Sequence, residues 1–83
     1  MTRREALRII DDAFKMANVI ETDQNDIRES KDDIEFSIFD IDSLDSMEIC
    51  ISIEINTGIT IVPEELNRMK SVNELVSMII ERS

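Results

Sequence analysis

Apolar residues recur at helical spacing along the first 20 positions: Leu7, Ile10, Phe14 and Ala17 mark one face, and Ile9, Ala13, Met16 and Ile20 widen it. The pattern predicts an amphipathic helix running to about Val19 or Ile20. Thr2 and Glu5 stand at capping-box spacing at its start. From Glu21 to Asp33 the chain turns polar and mostly acidic, with Ile27 as an isolated apolar residue. This reads as a loop with room for a short helical turn around Asn25 to Ser30. Ile34, Phe36, Ile38 and Phe39 then return the chain to the core.

Between Met47 and Ile61 two periods compete. Ile49, Ile51, Ile53 and Ile55 alternate with polar or small residues, Asn56-Thr57-Gly58 follows, and Ile59 and Ile61 alternate again. By propensity that is a hairpin of β-branched strands around a turn. The helical reading takes Leu44, Met47, Ile51 and Ile55 as one face, widened by Ile49 and Ile53, with Gly58 as a left-handed cap, and expects a helix apolar around its circumference and central to the bundle. Local pattern leaves both open. Beyond it, Ile59 and Ile61 point inward from a connection. Pro63 suits the first turn of a short helix over Glu64 to Met69, with Glu64 and Glu65 at its favoured end. Ser71 and Glu74 repeat the capping-box spacing, and Val72, Leu75, Val76, Ile79 and Ile80 predict a last helix ending near Arg82.

The chemistry concentrates in Asp40-Ile41-Asp42-Ser43-Leu44-Asp45-Ser46-Met47-Glu48. Asp42 or Ser43 can cap a helix, because either side-chain oxygen can accept from an N–H that lacks an intrahelical partner. Asp45 and Glu48 then fall where the helix dipole favours negative charge. Ser43 would stand exposed and fixed in direction, yet nothing activates it: the chain has no histidine, and Lys31 and Lys70 lie far away in sequence. Such a hydroxyl suits modification by another protein better than attack on a substrate.

Charge narrows the partners. The 83 residues, read as a single domain over 1–83, carry a net charge of −10, which repels nucleic acid and anionic lipid and steers the chain toward basic protein patches. Arg3, Arg4 and Arg8 read as solvated surface. Cys50 is the single cysteine, so no internal disulfide forms, and among isoleucines with no base nearby it reads as inert packing. Asp23, Asn25 and Asp26 resemble the start of a calcium loop, but Ile27 occupies a ligand position and the required glycine is missing. Asp40-Ile41-Asp42 fails the same way at Leu44, so no metal site is expected. With no signal-peptide pattern and no spanning apolar stretch, a cytoplasmic location is the expectation.

Asp42-Ser43-Leu44, with Asp45 and Met47-Glu48 beyond, resembles the phosphopantetheine attachment motif of acyl and peptidyl carrier proteins. Gly58-Ile59-Thr60-Ile61-Val62-Pro63-Glu64-Glu65-Leu66 is similar to the segment after that family's second helix, at the expected distance from the serine. The resemblance covers about Phe36 to Ile80. It implies an all-α, four-helix bundle of carrier-protein type, with three longer helices, a short third helix and a long first loop. It therefore favours helix over hairpin for Met47 to Thr57. It also implies 4'-phosphopantetheine held covalently on Ser43, placed there by a phosphopantetheinyl transferase from coenzyme A with magnesium. The arm's thiol would hold an acyl or aminoacyl thioester, and the chain would be a non-enzymatic, monomeric shuttle.

Loading and processing enzymes with basic patches would meet a face of Asp42, Leu44, Asp45, Met47, Glu48, Glu64 and Glu65, and Phe36 and Phe39 match the residues that anchor the first loop. One departure is Asp40, where the family usually has glycine, and this bears on the backbone there. Another is the second helix, less acidic in its later turns than in fatty-acid carriers, which favours a dedicated carrier in a specialised pathway. The cargo stays open among fatty acyl, polyketide and aminoacyl groups. The alternative is an acidic helical adaptor that binds a partner without a prosthetic group.

Overall fold

Among the residues that the computed structural model describes, 1–23 and 26–83, the chain forms four α-helices and no strand. Helix α1 spans Arg3–Met16, opened by Thr2, whose Oγ1 accepts from the Glu5 N–H at 3.2 Å. Its end lies short of the predicted Val19 or Ile20. Asn18 adopts a left-handed φ of 60°, the Asn18 N–H bonds to the Lys15 carbonyl at 3.1 Å, and the Val19 N–H bonds to the Phe14 carbonyl at 2.9 Å. That pair of bonds closes the helix, and asparagine is among the few residues that tolerate the conformation. Met16, expected to widen the inward stripe, is exposed because it lies about 160° round the helix from Phe14.

The long first loop is tied down at three places. Ile27 is fully buried, and Arg28 reaches back to α1, 3.1 Å from Asp11 and 2.7 Å from Asp12. Asp11 has no solvent exposure, so its charge depends on Arg28 and on Lys15 at 2.8 Å. Residues 26–29 form turns rather than a helix, and Asn25, where the helical turn was expected to begin, lies outside the described residues. Next, Phe36 and Phe39 flank a 3-10 turn (Phe36–Ile38), and their rings meet Phe14 at centroid distances of 5.9 and 5.2 Å. Residues three apart align in a 3-10 turn, which brings both rings to one side and turns Ile38 outward, against its expected place in the core.

Finally, the loop pairs with the approach to the last helix. The Phe36 N–H bonds to the Lys70 carbonyl and the Val72 N–H to the Ile34 carbonyl, both at 2.8 Å. Asp33 Oδ1 accepts from the N–H groups of Asn73 and Ile34 at 2.9 Å. The Asn73 bond foremost holds the Asp33 carboxyl below its ordinary range.

Helices α2 (Ser43–Thr57), α3 (Pro63–Arg68) and α4 (Val72–Arg82) complete the bundle, with α1 against α2 and α4, and α2 against α3. The hairpin reading of Met47 to Ile61 is excluded. Gly58 ends α2 at φ 74°, its N–H bonded to the Glu54 carbonyl at 2.7 Å. In α4 the Ser71 hydroxyl accepts from the Glu74 N–H at 3.4 Å, while Ile80 lies largely outside the core.

The inward face of α2 centres on Ile49 and Ile53, the residues read as widening the apolar face, and not on Leu44, Met47, Ile51 and Ile55. Ile49, Cys50 and Ile53 are buried with Ser46 and Ser52, whereas Leu44, Met47, Ile51 and Ile55 are 61%, 49%, 51% and 77% exposed. The helix is apolar almost all round, so spacing alone offers no polar side to turn outward. The buried side mixes small and large side chains, which neighbours can pack against closely.

Two outcomes test this fold. Ile53→Ala is expected to cost roughly 2–5 kcal/mol in urea denaturation, and Ile55→Ala no more than about 0.5 kcal/mol. Asp33 stabilises the fold above the ordinary carboxylate value of 3.8, and that contribution is lost as pH falls through its lower folded value. The urea midpoints of wild type and Asp33→Asn should therefore converge as pH is lowered from about 6 to about 3.

Candidate functional site

The start of α2 is built by a reciprocal cap. Asp42 Oδ1 accepts from the Asp45 N–H at 2.8 Å, and Asp45 Oδ2 accepts from the Asp42 N–H at 3.2 Å. Of the two capping candidates, Asp42 is the cap, and Ser43 becomes the first residue of the helix. The Ser43 side chain is exposed and makes no hydrogen bond among the described residues. Its hydroxyl is therefore free for chemistry, on a backbone that the cap holds still.

Asp40 has no positive φ, since Asn18 is the only described non-glycine residue that does. The backbone before Ser43 needs no glycine there.

Ser46 lies one turn on, in a different situation. It has no exposure, and its hydroxyl donates to Asn67 Oδ1 at 2.9 Å, joining the first turn of α2 to α3. Sequence reasoning passed over this pair. An acceptor side chain near the end of a short helix was the only signal, and it acquires meaning once α3 is seen beside α2.

Around Ser43 the structure sets Leu44 and Met47 outward, Glu48 half-exposed, and Asp42 and Asp45 committed to the cap. Glu64 is exposed on α3. Glu65 is engaged: Arg82 pairs with its carboxylate, and the Val62 N–H donates to it at 3.4 Å. Arg82 is the main reason that the Glu65 carboxyl sits below its ordinary range. Arg82 also donates to the Thr60 carbonyl at 2.9 Å, tying the end of α4 to the connection before α3.

Cys50 is buried on the inward face, and burial, with Glu65 adding to it, pushes its thiol up to about 11. It stays protonated near neutrality and is no nucleophile.

A family model described as "phosphopantetheine attachment site" matches residues 15–79, more than half of the chain. The chain belongs to that family. It is thus a phosphopantetheine carrier, an all-helical bundle whose cofactor, 4'-phosphopantetheine, is held covalently on a serine. Carrier domains of this family work with phosphopantetheinyl transferases and biosynthetic enzymes. No curated protein and no solved structure matches the chain. Among the described residues, no helix is long and apolar enough to cross a membrane, and no group of three or more His, Cys, Asp or Glu is placed to hold a metal ion.

The cap and the thiol each lead to a measurement. Asp42→Ala should lower stability by about 1 kcal/mol in urea denaturation, through loss of the Asp45 N–H acceptor. Alkylation of native Cys50 by iodoacetamide should be slow at neutral pH and reach the rate of a free thiol only on unfolding.

Proposed function

We propose that Ser43 is the serine that carries the arm and that residues 1–83 act as one non-enzymatic carrier domain. The observation that carries this reading is the contrast between two serines in one turn: Ser43 exposed and unbonded, Ser46 buried and bonded to Asn67. Ser43 offers its Oγ to a phosphopantetheinyl transferase. The P–O bond to Oγ forms as the pyrophosphate bond of coenzyme A breaks, the hydroxyl proton passes to a base on the transferase, and the nucleotide portion leaves. Once attached, the arm supplies a terminal thiol that holds an acyl or aminoacyl group as a thioester.

This chain's own part is to present and to orient. The cap fixes the direction of Ser43, and the tether keeps the cargo at high effective concentration for a docked enzyme. Asp42, Leu44, Asp45, Met47, Glu48, Glu64 and Glu65 form the face that such enzymes read. Exposed acids add modest affinity but speed encounter with basic patches, which fits rapid hand-over between enzymes. Glu65 serves that face through its pairing with Arg82, which sets α3 in place. The sparse acidity of the later turns of α2 favours a dedicated carrier in fatty-acid-like, polyketide or nonribosomal-peptide-type biosynthesis, acting as a monomer in the cytoplasm.

Incubation with a broad-specificity transferase and coenzyme A, followed by intact-mass measurement, tests the reading. Wild type and Ser46→Ala should each gain one phosphopantetheine and Ser43→Ala none. A wild type that gains no mass would instead make the chain an unloaded acidic adaptor, and a gain on Ser43→Ala would move the site.

A further inference from the structure

We infer that the start of α1 and the loop beside it form a basic groove that docks an acidic helix of a partner protein. The groove has a volume of about 1290 Å³. Five of the chain's nine lysines and arginines line it, Arg3, Arg4, Arg8, Arg28 and Lys31, against three of its 19 acids. In a chain of net charge −10 this is a local reversal of sign. Two of those acids are engaged within the chain: Glu5 accepts from the Thr2 hydroxyl at 3.3 Å, and Asp12 pairs with Arg28 at 2.7 Å. Arg3 donates to Asn73 Oδ1 on α4 at 2.7 Å. Arg4, Arg8 and Lys31 are exposed and make no hydrogen bond or ion pair among the described residues. Folding does not account for Arg4, which stands in the first turn of α1, where the helix dipole disfavours a cation.

Spacing and charge select the occupant. Arg4 and Arg8 stand one helical turn apart, about 6 Å along α1. A facing helix with carboxylates four residues apart repeats that spacing and meets both guanidinium groups at once, with Lys31 beside them on the loop. Leu7 lines the groove but is almost wholly buried, so the contact is ionic and weakens with salt. A duplex or an anionic bilayer extends well beyond the cations and meets the repulsion of the whole chain, and a second copy brings another net charge of −10. A short acidic helix stays within about one Debye length of the cations and responds to their local sign. No residue of α2 or α3 lines the groove, so it shares nothing with the face around Ser43, and its occupancy is independent of modification there.

The test uses the full chain at about 0.15 M salt and an alanine-rich peptide of about 18 residues, with glutamates in pairs four residues apart along one helical face. A peptide of equal composition with the glutamates scattered round the helix is the control. In ¹⁵N shift mapping the first peptide should move the resonances of Arg4, Arg8 and Lys31 most. It should bind about tenfold or more tightly than the control, and lose about tenfold on Arg4→Glu with Arg8→Glu. That double variant should keep its helical circular dichroism, since a glutamate at position 4 suits the dipole. It should also match wild type in mass gain with a phosphopantetheinyl transferase, which separates lost docking from lost folding and from any failure at Ser43. Equal binding of both peptides, or no loss in the double variant, would reduce the patch to solvated surface and overturn the proposal. So would tighter binding of phosphatidylglycerol vesicles or duplex DNA than of the peptide, or sedimentation showing that wild type pairs with itself and the double variant does not.

Discussion

Burial of Ile49 and Ile53 sets the rotation of α2 about its own axis, and that rotation decides which chemistry the chain can offer. Each isoleucine taken fully from water contributes about 1.5–3 kcal/mol, so turning them outward to bury Ile51 and Ile55 instead would be close to neutral in area alone. What breaks the tie is polar. With Ile49 and Ile53 inward, Ser46 is inward too and finds Asn67, while Cys50 fills space as an uncharged thiol. In the opposite rotation Ser46 would lose its acceptor, and Glu48 would move toward the core, a carboxylate burial costing several kcal/mol. Small polar groups thus choose between two equally greasy faces.

The same choice leaves Ser43 on the surface, and the cap makes that position precise in direction. Asp42 and Asp45 satisfy each other's backbone N–H groups, so neither is available to hold the serine hydroxyl. A serine at the cap itself would have spent its oxygen on the helix; moving the cap one residue upstream frees it. Behind this turn, Phe39 lies edge-on to Phe14, and Arg28, Asp33 and Glu65 pin the loops with ionic or charge-assisted bonds. A rigid platform under an unbonded hydroxyl would suit an external modifying enzyme, since no group of this chain is placed to activate Ser43.

Much of this could be read from residue order. The left-handed turn at Gly58, the proline-led start of α3 and the Ser71 and Thr2 caps are local, and each rests on chemistry within four residues. Ser43 stood out for the same reason, by its acids and by the motif around it. The failures have separate causes, one local and two that depend on neighbours in the fold. Asn18 ends α1 through a conformation that residue type permits but does not require. Nothing in residue order singles out Asp11, which is buried beside Arg28, 17 residues away in sequence. The orientation of α2 lay out of reach because spacing measures apolarity, and this helix carries it on both sides.

An apolar outer face on α2 is a liability, because it invites self-association. Two features of the chain oppose that. The net charge of −10 acts between copies over about a Debye length, and the stripe is bordered by acids and not by the cations that would complement a second copy. Like-charge repulsion weakens with salt while apolar contact does not, so the balance between staying single and docking depends on the partner's charge and not on its hydrophobicity alone. A basic partner would gain from both terms at once, whereas a second acidic copy would gain from the apolar contact alone. Four large exposed side chains on one helix are thus set against an acidity that opposes contact between copies.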